Sequence, residues 1–499
     1  MLPALSSWRK RRREQSAVDG WRYRVTWKPL AEPARAEVSG SWLVVADEDG
    51  PLTGWVADVL GARTLLVGRG EGRAELVAGL TGEFAGVVSL RGLVGTLELV
   101  QALGDAGVGA PLWSLTQGAV STGRSDVLTA AGVEQSLVWG LGRVVALEHP
   151  GRWGGLIDLP EVLDERAAVR VRGLLSGASG EDQVAVRAAG VYGRRLRAAE
   201  PVAGSEGWRP RGTVLVTGGT GALGAHVARW LVAEGAGHVV LTSRRGLEAP
   251  GAAELAQELT SETARVSVVA CDVSDAGQVR ALVEGLEQDG PVRGVVHAAG
   301  VPGASVALAA LGAVELAEVH AAKVLGARHL DALFSEPSRA TELDAFVLFS
   351  SIAGVWGGAG QGAYAAANAA LDALVQCRRA QGLVGASIAW GPWADGGMAD
   401  AETVEHLRRR GLTAMAPDTA VGVLRGAAAG AVADLTVVDA DWARFTRLFA
   451  SLRPSPLFAE LLAATAPVQD RASASGRPGG APAEGATLRD RLAALGGDA

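Results

Sequence analysis

The chain has 499 residues, 48% of them hydrophobic and 20% charged, and a formal net charge of −7. This length exceeds what one hydrophobic core usually supports, so we expect two domains, and the composition excludes wholesale disorder. The negative charge disfavours nonspecific nucleic-acid binding, no apolar run reaches the length of a membrane span, and the first residues lack the apolar core of a signal peptide.

The first half of the chain alternates short β-rich runs with helical stretches, which predicts a parallel sheet covered by helices. The residues after its first run, "EDGPLTGW" at 48–55, lack the spaced glycines that let a backbone approach a pyrophosphate. We interpret this half as a dinucleotide-type fold with a structural role; the alternative is a ligand site that the sequence does not reveal. Its predicted strands lie in 41–47, 62–68, 84–90, 110–116 and 154–159.

A Pro- and Gly-rich stretch at 198–212 predicts the boundary between the halves. The second half repeats the strand–helix pattern more clearly, and helices are predicted in 222–235, 252–259, 276–288 and 314–334. Its predicted strands lie in 212–219, 238–244, 265–273, 292–300, 343–351, 385–391 and 434–439.

Near the C-terminus, residues 467–487 are rich in Pro, Gly, Ala and Ser and predict a flexible tether. The two cysteines, Cys271 and Cys377, are too few for a disulfide framework and do not have zinc-site spacing. We expect buried, unreactive thiols, a reducing cytoplasm and no metal site.

The stretch "VTGGTGALG", 216–224, joins a predicted strand to a predicted helix. Gly218 permits a tight turn, Gly221 lets the backbone approach a phosphate, and Gly224 allows close packing of the helix. The helix N-terminus then offers free N–H groups to a pyrophosphate. Because the strand and helix are both present, the motif predicts a dinucleotide site more strongly than glycines alone would.

The end of the second strand of this half indicates which dinucleotide binds. Where an NAD-binding protein has an acidic residue, this chain has Ser243, Arg244 and Arg245. A guanidinium there would pair with the 2′-phosphate of NADPH, although two solvent-exposed arginines are the alternative. Asp272 ends the third strand, where it can meet the adenine amino group, and the small residues of "HAAG", 297–300, let a ribose lie against the backbone.

Four residues predict reductive chemistry. Ser351 closes the fifth strand, and Tyr364 follows thirteen residues later at the start of a helix that also carries Asn368. A tyrosine with a pKa of about 10 is a poor acid unless a cation favours its phenolate. Lys323, on the preceding predicted helix, can supply that cation, while Ser351 holds a carbonyl oxygen. A surface lysine without a catalytic role is the alternative.

The motifs "TGGTGALG", "TSRRG", "HAAG" and "FSS", with Lys323, Tyr364 and Asn368, together resemble the ketoreductase domain of modular type I polyketide synthases, a family of the short-chain dehydrogenase/reductase superfamily. In that family lysine and asparagine are exchanged relative to ordinary short-chain reductases. The resemblance implies an α/β fold of two Rossmann-like doubly wound parallel-sheet subdomains, the first truncated and without cofactor.

The resemblance also implies the organisation of the chain. Residues 1–20 would be an inter-domain linker, 21–205 the structural subdomain, 206–462 the catalytic NADPH-binding subdomain, and 463–499 a flexible linker towards an acyl carrier protein. With the residues above, the implied NADPH contacts are Gly218, Gly219, Thr220, Gly221, Ala222, Leu223, Ser243, Arg244, Arg245, Asp272, Val273, Ala298, Ala299, Gly300, Lys323, Tyr364, Pro392 and Trp393.

The implied reaction is NADPH-dependent reduction of a β-keto group on an intermediate bound to an acyl carrier protein, in the bacterial cytoplasm. Family members that make D-hydroxyls carry "LDD" after the fourth strand, whereas this chain has "VPGAS" at 301–305. Trp356 and Gln361 precede Tyr364 by eight and three residues. These features imply an A1-type enzyme that makes L-β-hydroxyls with an unepimerised or unsubstituted α-carbon. Trp356 would wall off one side, although a hydrophobic loop anchor is the alternative. Met398 would line the pocket or, equally, fill a gap in the core, and residues 399–412 would form a lid helix.

Partners implied by the resemblance are the carrier protein and the neighbouring acyltransferase and carrier domains, without nucleic acid, membrane or metal. Three other functions stay open. A short-chain dehydrogenase or epimerase acting on a free metabolite would want lysine at position 368, where Asn368 stands. A redox-silent scaffold or epimerase should lack Ser351, Tyr364 or Lys323, and a simple nucleotide-binding module would bind NADPH without reducing a ketone.

Overall fold

The strands of both halves join one sheet of fifteen strands in the computed structural model, which describes residues 18–68, 72–200, 207–301, 303–394, 401–428, 433–451 and 453–465. The first eight strands are β1 (Arg22–Pro29), β2 (Trp42–Ala46), β3 (Arg63–Leu66), β4 (Gly86–Ser89), β5 (Leu112–Gln117), β6 (Trp153–Leu159), β7 (Gln183–Arg187) and β8 (Gly190–Ala198). The others are β9 (Thr213–Thr217), β10 (His238–Ser243), β11 (Arg265–Ala270), β12 (Val292–His297), β13 (Ala345–Ser351), β14 (Ala386–Trp390) and β16 (Asp434–Val437). Two short strands, β15 (Leu412–Thr413) and β17 (Asp439–Ala440), pair separately.

Helices lie between most of these strands, as the alternating pattern predicts. In the first half they are α1 (Pro51–Leu60), α2 (Arg73–Gly79), α3 (Leu93–Asp105), α4 (Ala130–Glu148) and α5 (Glu165–Leu175). In the second half they are α6 (Ala222–Ala233), α7 (Ala252–Leu259), α8 (Ala276–Glu287), α9 (Ala313–His320), α10 (Gly326–Phe334), α11 (Pro337–Ala340), α12 (Ile352–Trp356), α13 (Gly362–Ala380), α14 (Ala401–Arg409), α15 (Pro417–Ala420), α16 (Val423–Ala428), α17 (Trp442–Phe449) and α18 (Ala459–Thr465).

The second half has the strand order β11-β10-β9-β12-β13-β14-β16, and all neighbouring strands within it are parallel. The order reverses between β9 and β12, which is where doubly wound sheets bind ligands. The first half has the order β7-β6-β5-β4-β2-β3, also parallel, with helices of its own. The predicted fold class, two Rossmann-like subdomains with the first truncated, is therefore confirmed.

Three antiparallel pairings, β7–β8, β8–β1 and β1–β16, connect the two halves into one sheet. β1 pairs with β8 on one side and with β16 on the other, so that Tyr23 lies opposite both Ala198 and Thr436. β8 in turn pairs with β7 as a hairpin. None of β1, β7 and β8 was predicted as a strand, and the continuous sheet was not predicted either.

The two halves also pack through α4 and α13, the helix that carries Tyr364. A Cβ added at Gly140 of α4 would overlap the carbonyl oxygen of Ala365 and lie 2.5 Å from the Cα of Ala366. The alanine-rich first turns of α13 and this glycine therefore let two helix backbones approach closely. The first half thus directly supports the helix on which we expect catalysis to depend.

We expect Gly140→Ala to destabilise the protein because the added methyl collides with backbone atoms that cannot move independently. Overpacking of this kind typically costs about 1–3 kcal/mol. Gly54→Ala is a matched control, since Gly54 is also helical and has nothing within 4 Å of its added Cβ; it should stabilise by about 0.5–1 kcal/mol. Urea unfolding compares the two, and equal midpoints would contradict the packing argument.

Cys271 and Cys377 are both buried free thiols, as predicted. Burial raises the pKa of the Cys271 thiol to about 11 and also raises that of Cys377, so both stay protonated at neutral pH. Among the described helices, none is both long enough and apolar enough to cross a membrane.

Candidate active site

The glycine loop lies at the carboxyl end of β9. Gly218 has φ +67°, and a Cβ there would lie 2.7 Å from the backbone nitrogen of Ala299 at the end of β12. A Cβ on Gly224 would lie 2.6 Å from the Cα of Gly219, so helix α6 can pack on the loop only without a side chain there. By contrast, a Cβ on Gly221 would meet a single protein atom, the carbonyl oxygen of Gly218 at 3.3 Å. Gly221 therefore faces open space at the N-terminus of α6.

The predicted 2′-phosphate residues lie at the end of β10. Arg244 and Arg245 are exposed, and neither forms an ion pair within the part of the chain that the structure describes. The Ser243 hydroxyl is buried and has no hydrogen-bond partner among those residues. Asp272 accepts hydrogen bonds from the backbone and hydroxyl of Ser274, at 3.0 and 2.7 Å, which lower its pKa. An unpartnered buried hydroxyl beside two exposed guanidinium groups suits an anionic ligand.

The other predicted cofactor residues surround the same edge of the sheet. Val273 is buried, and the three residues that follow His297 in "HAAG" are partly exposed. In the glycine loop, Gly219 is buried, Thr220 and Leu223 are partly exposed, and Gly221 and Ala222 are exposed.

His297, which sequence reasoning did not assign, connects this edge to Lys323. Its Nδ1 lies 2.7 Å from the hydroxyl of Thr217, and its Nε2 lies 2.9 Å from the carbonyl oxygen of Lys323. Burial lowers the pKa of His297 to about 4, so the ring is neutral and can bridge a donor and an acceptor. The only sequence signal was a histidine at the end of a buried strand.

The predicted helix 314–334 is interrupted at the lysine. Residues 321–325 form a π-helical turn between α9 and α10, a feature that often marks functional sites. Lys323 is 3% exposed, and its stem crosses Gly300, where a Cβ would lie 2.8 Å from the lysine Cε. Lys323 also reaches Asn368 on the Tyr364 helix, so the predicted adjacency of the two helices is present.

The Lys323 ammonium is held beneath Tyr364. It donates to the carbonyl oxygen of Phe349 and to Oδ1 of Asn368, both at 2.9 Å, and lies 5.2 Å from the centroid of the Tyr364 ring. The amide nitrogen of Asn368 donates to the backbone carbonyl of Tyr364 at 2.7 Å. Asn368 thus connects the amine of one helix to the tyrosine of the next.

Ser351 lies at the N-terminus of α12, and its Oγ accepts from the backbone nitrogen of Ala353 at 3.2 Å. This hydroxyl also hydrogen-bonds with the side chain of Tyr364, which places the serine beside the tyrosine. The neighbouring Ser350 hydroxyl donates to the backbone carbonyl of Asn368 at 3.1 Å, which ties β13 to α13. The structure thus brings the four predicted catalytic residues together at the carboxyl ends of β12 and β13.

The titration behaviour of the cluster follows from its burial. Burial raises the pKa of Tyr364, while hydrogen bonding with Ser351 and Asn368 opposes that rise. Burial lowers the pKa of Lys323 to about 7, partly offset by Asp372. Burial also raises the pKa of Asp372, one turn beyond Asn368 on α13, to about 6. Asp372 was not singled out from the sequence, although its i, i+8 spacing from Tyr364 places both on one helix face.

Trp356 is 4% exposed and belongs to an aromatic cluster rather than to an open wall. Its ring packs against Trp442, Phe445 and Phe458, with centroid distances of 5.5–5.9 Å. This geometry corresponds to an anchor of α12. Gln361, by contrast, is exposed at the N-terminus of α13. The stereochemical roles of both residues stay predictions.

Trp393 is also buried, with its ring 5.0 Å from that of Trp390 and 6.2 Å from that of His226 on α6. Pro392 is partly exposed, and its carbonyl accepts from Met415 at 2.9 Å. Of the predicted lid, the structure describes helix α14, and Met398 lies outside the described residues. Within the described ranges, no group of three His, Cys, Asp or Glu side chains could hold a metal ion.

Two family models match this chain. Residues 212–395 match the KR domain, and residues 25–196 match the "Polyketide synthase extender module SpnB, Rossmann fold domain". The two matches fall on the two subdomains of the sheet, and the first covers the whole cluster around Tyr364.

Similar proteins support the same family. GfsA, a polyketide synthase of Streptomyces halstedii, is 49% identical over 95% of this chain, and PikAIII, a pikromycin polyketide synthase component of Streptomyces venezuelae, is 46% identical over 94%. The chain spans 7% and 30% of their lengths. A solved structure described as an A1-type ketoreductase superposes with a TM-score of 0.84 at 44% identity, covering 90% of this chain and all of that one. The chain therefore belongs to the ketoreductase domains of modular polyketide synthases.

Proposed function

We propose that this ketoreductase uses NADPH to reduce the β-keto group of a polyketide intermediate bound to an acyl carrier protein. We further propose an L-β-hydroxyl product with an unepimerised or unsubstituted α-carbon. The observation that carries the proposal is the buried contact of Lys323 with Asn368 beneath the ring of Tyr364. A buried amine, a phenol and a serine hydroxyl at one edge of a nucleotide-binding sheet fit ketone reduction better than they fit binding alone.

NADPH, when bound, would supply the hydride. The residues fit this cofactor in three respects: the loop around Gly221 is open at the N-terminus of α6, the Ser243 hydroxyl is buried without a partner in the described chain, and Arg244 and Arg245 are exposed beside it. The helix N-terminus would hold the pyrophosphate, and the arginines would hold the 2′-phosphate.

The protein residues would orient the ketone and supply the proton. Ser351 would donate a hydrogen bond to the ketone oxygen, and Tyr364 would donate its proton as negative charge develops there. Because burial alone raises the pKa of Tyr364, the tyrosine stays protonated until it is needed. The Lys323 ammonium would then stabilise the phenolate, with Asn368 fixing its position.

The stereochemical proposal rests on the family pattern at Trp356 and Gln361 and on likeness to the solved structure described as A1-type. The anchored position of Trp356 suggests that it would act by fixing α12 rather than by contacting substrate. Since the relatives are much longer, we also propose neighbouring acyltransferase and carrier domains. From the composition of the sequence we propose a subdomain boundary at 198–212 and a C-terminal tether at 463–499.

The experiment is NADPH oxidation with a racemic 2-methyl-3-ketoacyl thioester, followed by chiral analysis of the alcohol. The proposal predicts consumption of NADPH and an L-hydroxyl as the major product. A D-hydroxyl as the major product would refute the stereochemical part, and NADPH binding without oxidation would refute the reductive function.

We expect the double variant Arg244→Ala, Arg245→Ala to weaken NADPH binding at least about tenfold, because charge-assisted bonds to the 2′-phosphate are lost. NADH lacks that phosphate, so its affinity should change little. Cofactor titration by fluorescence measures both. Arg229→Ala is the control, since that exposed arginine pairs with Glu258 on the neighbouring helix. An equal loss for both cofactors would contradict the assignment.

A further inference from the structure

Two loops adjoin the start of the Tyr364 helix. One comprises residues 303–311, after β12, and the other residues 357–361, between α12 and α13. They touch each other, since the backbone nitrogen of Val306 donates to the carbonyl of Gly360 at 3.0 Å. The 303–311 loop also presses on the helix, because a Cβ on Gly362 would lie 2.5 Å from the side chain of Leu308. A shift of either loop would therefore reach Tyr364.

Glu148, the last residue of α4 in the first subdomain, joins these two loops. One carboxylate oxygen accepts from the backbone nitrogen of Gly360 and the other from that of Leu308, both at 2.7 Å. Bonds to a charged acceptor are about twice as strong as neutral ones. A single rigid group thus fixes the separation of two backbones.

Gln101 of α3 strengthens the same arrangement. Its amide nitrogen donates to the carbonyl oxygens of Leu308 and Leu311, at 2.7 and 2.9 Å. The 303–311 loop is therefore held by side chains of the first subdomain through both its donors and its acceptors. The first subdomain, which has no dinucleotide loop, therefore holds the loops beside Tyr364 in place through Glu148 and Gln101.

We propose that Glu148 is a positioning residue that controls the face of the ketone that is reduced. This inference rests on the proposed function. By holding the two loops together, Glu148 sets where the first turn of α13, and with it the Tyr364 hydroxyl, lies relative to a substrate. Selectivity depends on small differences between two orientations, so a loosened loop changes the product ratio before it abolishes reduction.

The test compares Glu148→Gln with Glu134→Gln. The amide keeps the size of Glu148 but can accept from only one of the two backbone groups and turns an N–H₂ towards the other. Glu134 lies on the same helix and also contacts the second half, through an ion pair with Arg328, but among the described residues it forms no hydrogen bond or ion pair with either loop. Both variants and the wild type are assayed with the racemic 2-methyl-3-ketoacyl thioester and checked for NADPH affinity and Tm.

We expect the fraction of product with the D-hydroxyl configuration to rise about tenfold in Glu148→Gln and to stay unchanged in Glu134→Gln. NADPH affinity should be unaffected in both. An unchanged product ratio in folded Glu148→Gln, or an equal change in Glu134→Gln, would overturn the inference. If Glu148→Gln does not fold, Gln101→Leu decides by the same ratio. A wild type that does not oxidise NADPH with the ketone refutes the proposed function instead, and the inference with it.

Discussion

Replacing Tyr364 with phenylalanine is expected to lower kcat by about 10²–10⁴, the range for loss of a general acid. The phenyl ring keeps the shape of the buried side chain, so its packing in the core and its contact with the Lys323 ammonium should survive. Only the hydroxyl that would protonate the product is lost. Stopped-flow NADPH oxidation measures the rate, and Tm and NADPH affinity should match the wild type.

Tyr192→Phe is the control for this prediction, since Tyr192 lies on β8 in the first subdomain, away from the cluster. It should retain full activity. Tyr364→Phe with wild-type kcat would show that another group supplies the proton, and the assignment of the whole cluster would then fail.

Replacing Lys323 with methionine is expected to lower kcat by about 10²–10³, the usual cost of losing one preorganised electrostatic group. Methionine fills the stem's volume over Gly300 but leaves the carbonyl of Phe349 and Oδ1 of Asn368 without their donor. Each unsatisfied acceptor costs about 1–3 kcal/mol, although removing a buried charge offsets part of that cost. The rate must therefore be measured on protein whose Tm shows it to be folded.

Lys28→Met serves as the control because Lys28 is half exposed on β1, where it pairs with Glu460. A small loss in Lys323→Met, no larger than in Lys28→Met, would mean that the buried amine has a structural role alone.

The parallel strands and the glycine loop were predictable because their signals are local. A buried apolar run such as that of β9, followed by glycines that leave no space for a side chain, predicts a strand and a turn without knowledge of the tertiary contacts. The pairing of β1 with β16 had no such signal, because Tyr23 and Thr436 are far apart in the sequence.

The β7–β8 hairpin escaped prediction because β8 carries two buried arginines. Arg194 donates to Gln183 at 3.1 Å and to the carbonyl of Val355 at 2.7 Å, and Arg195 pairs with Glu181. Only these tertiary partners make buried guanidinium groups acceptable in a strand. In sequence, the same residues are typical of an exposed segment.

The candidate site shows the same division between local and tertiary information. Residue types predicted Ser351, Tyr364 and Lys323, and the structure brings them together. The π-helical turn at Lys323 was not predictable, since residues 314–334 have an uninterrupted helical pattern. The role of Glu148 was not predictable for a different reason. A glutamate at a helix end is usually solvated, and the two backbone groups that it binds belong to loops far away in the sequence.

The most direct test of the account is the pH dependence of kcat/KM, which reports groups of the free enzyme. Burial lowers the pKa of Lys323 to about 7, so its ammonium is present below that pH and lost above it. We predict that kcat/KM of the wild type falls as pH rises through about 7, and that this decline is absent from the residual activity of Lys323→Met. A decline of the same size and midpoint in Lys323→Met would contradict the claim that this amine serves Tyr364, whereas a flat wild-type profile from pH 6 to about 9 would contradict the lowered pKa of Lys323.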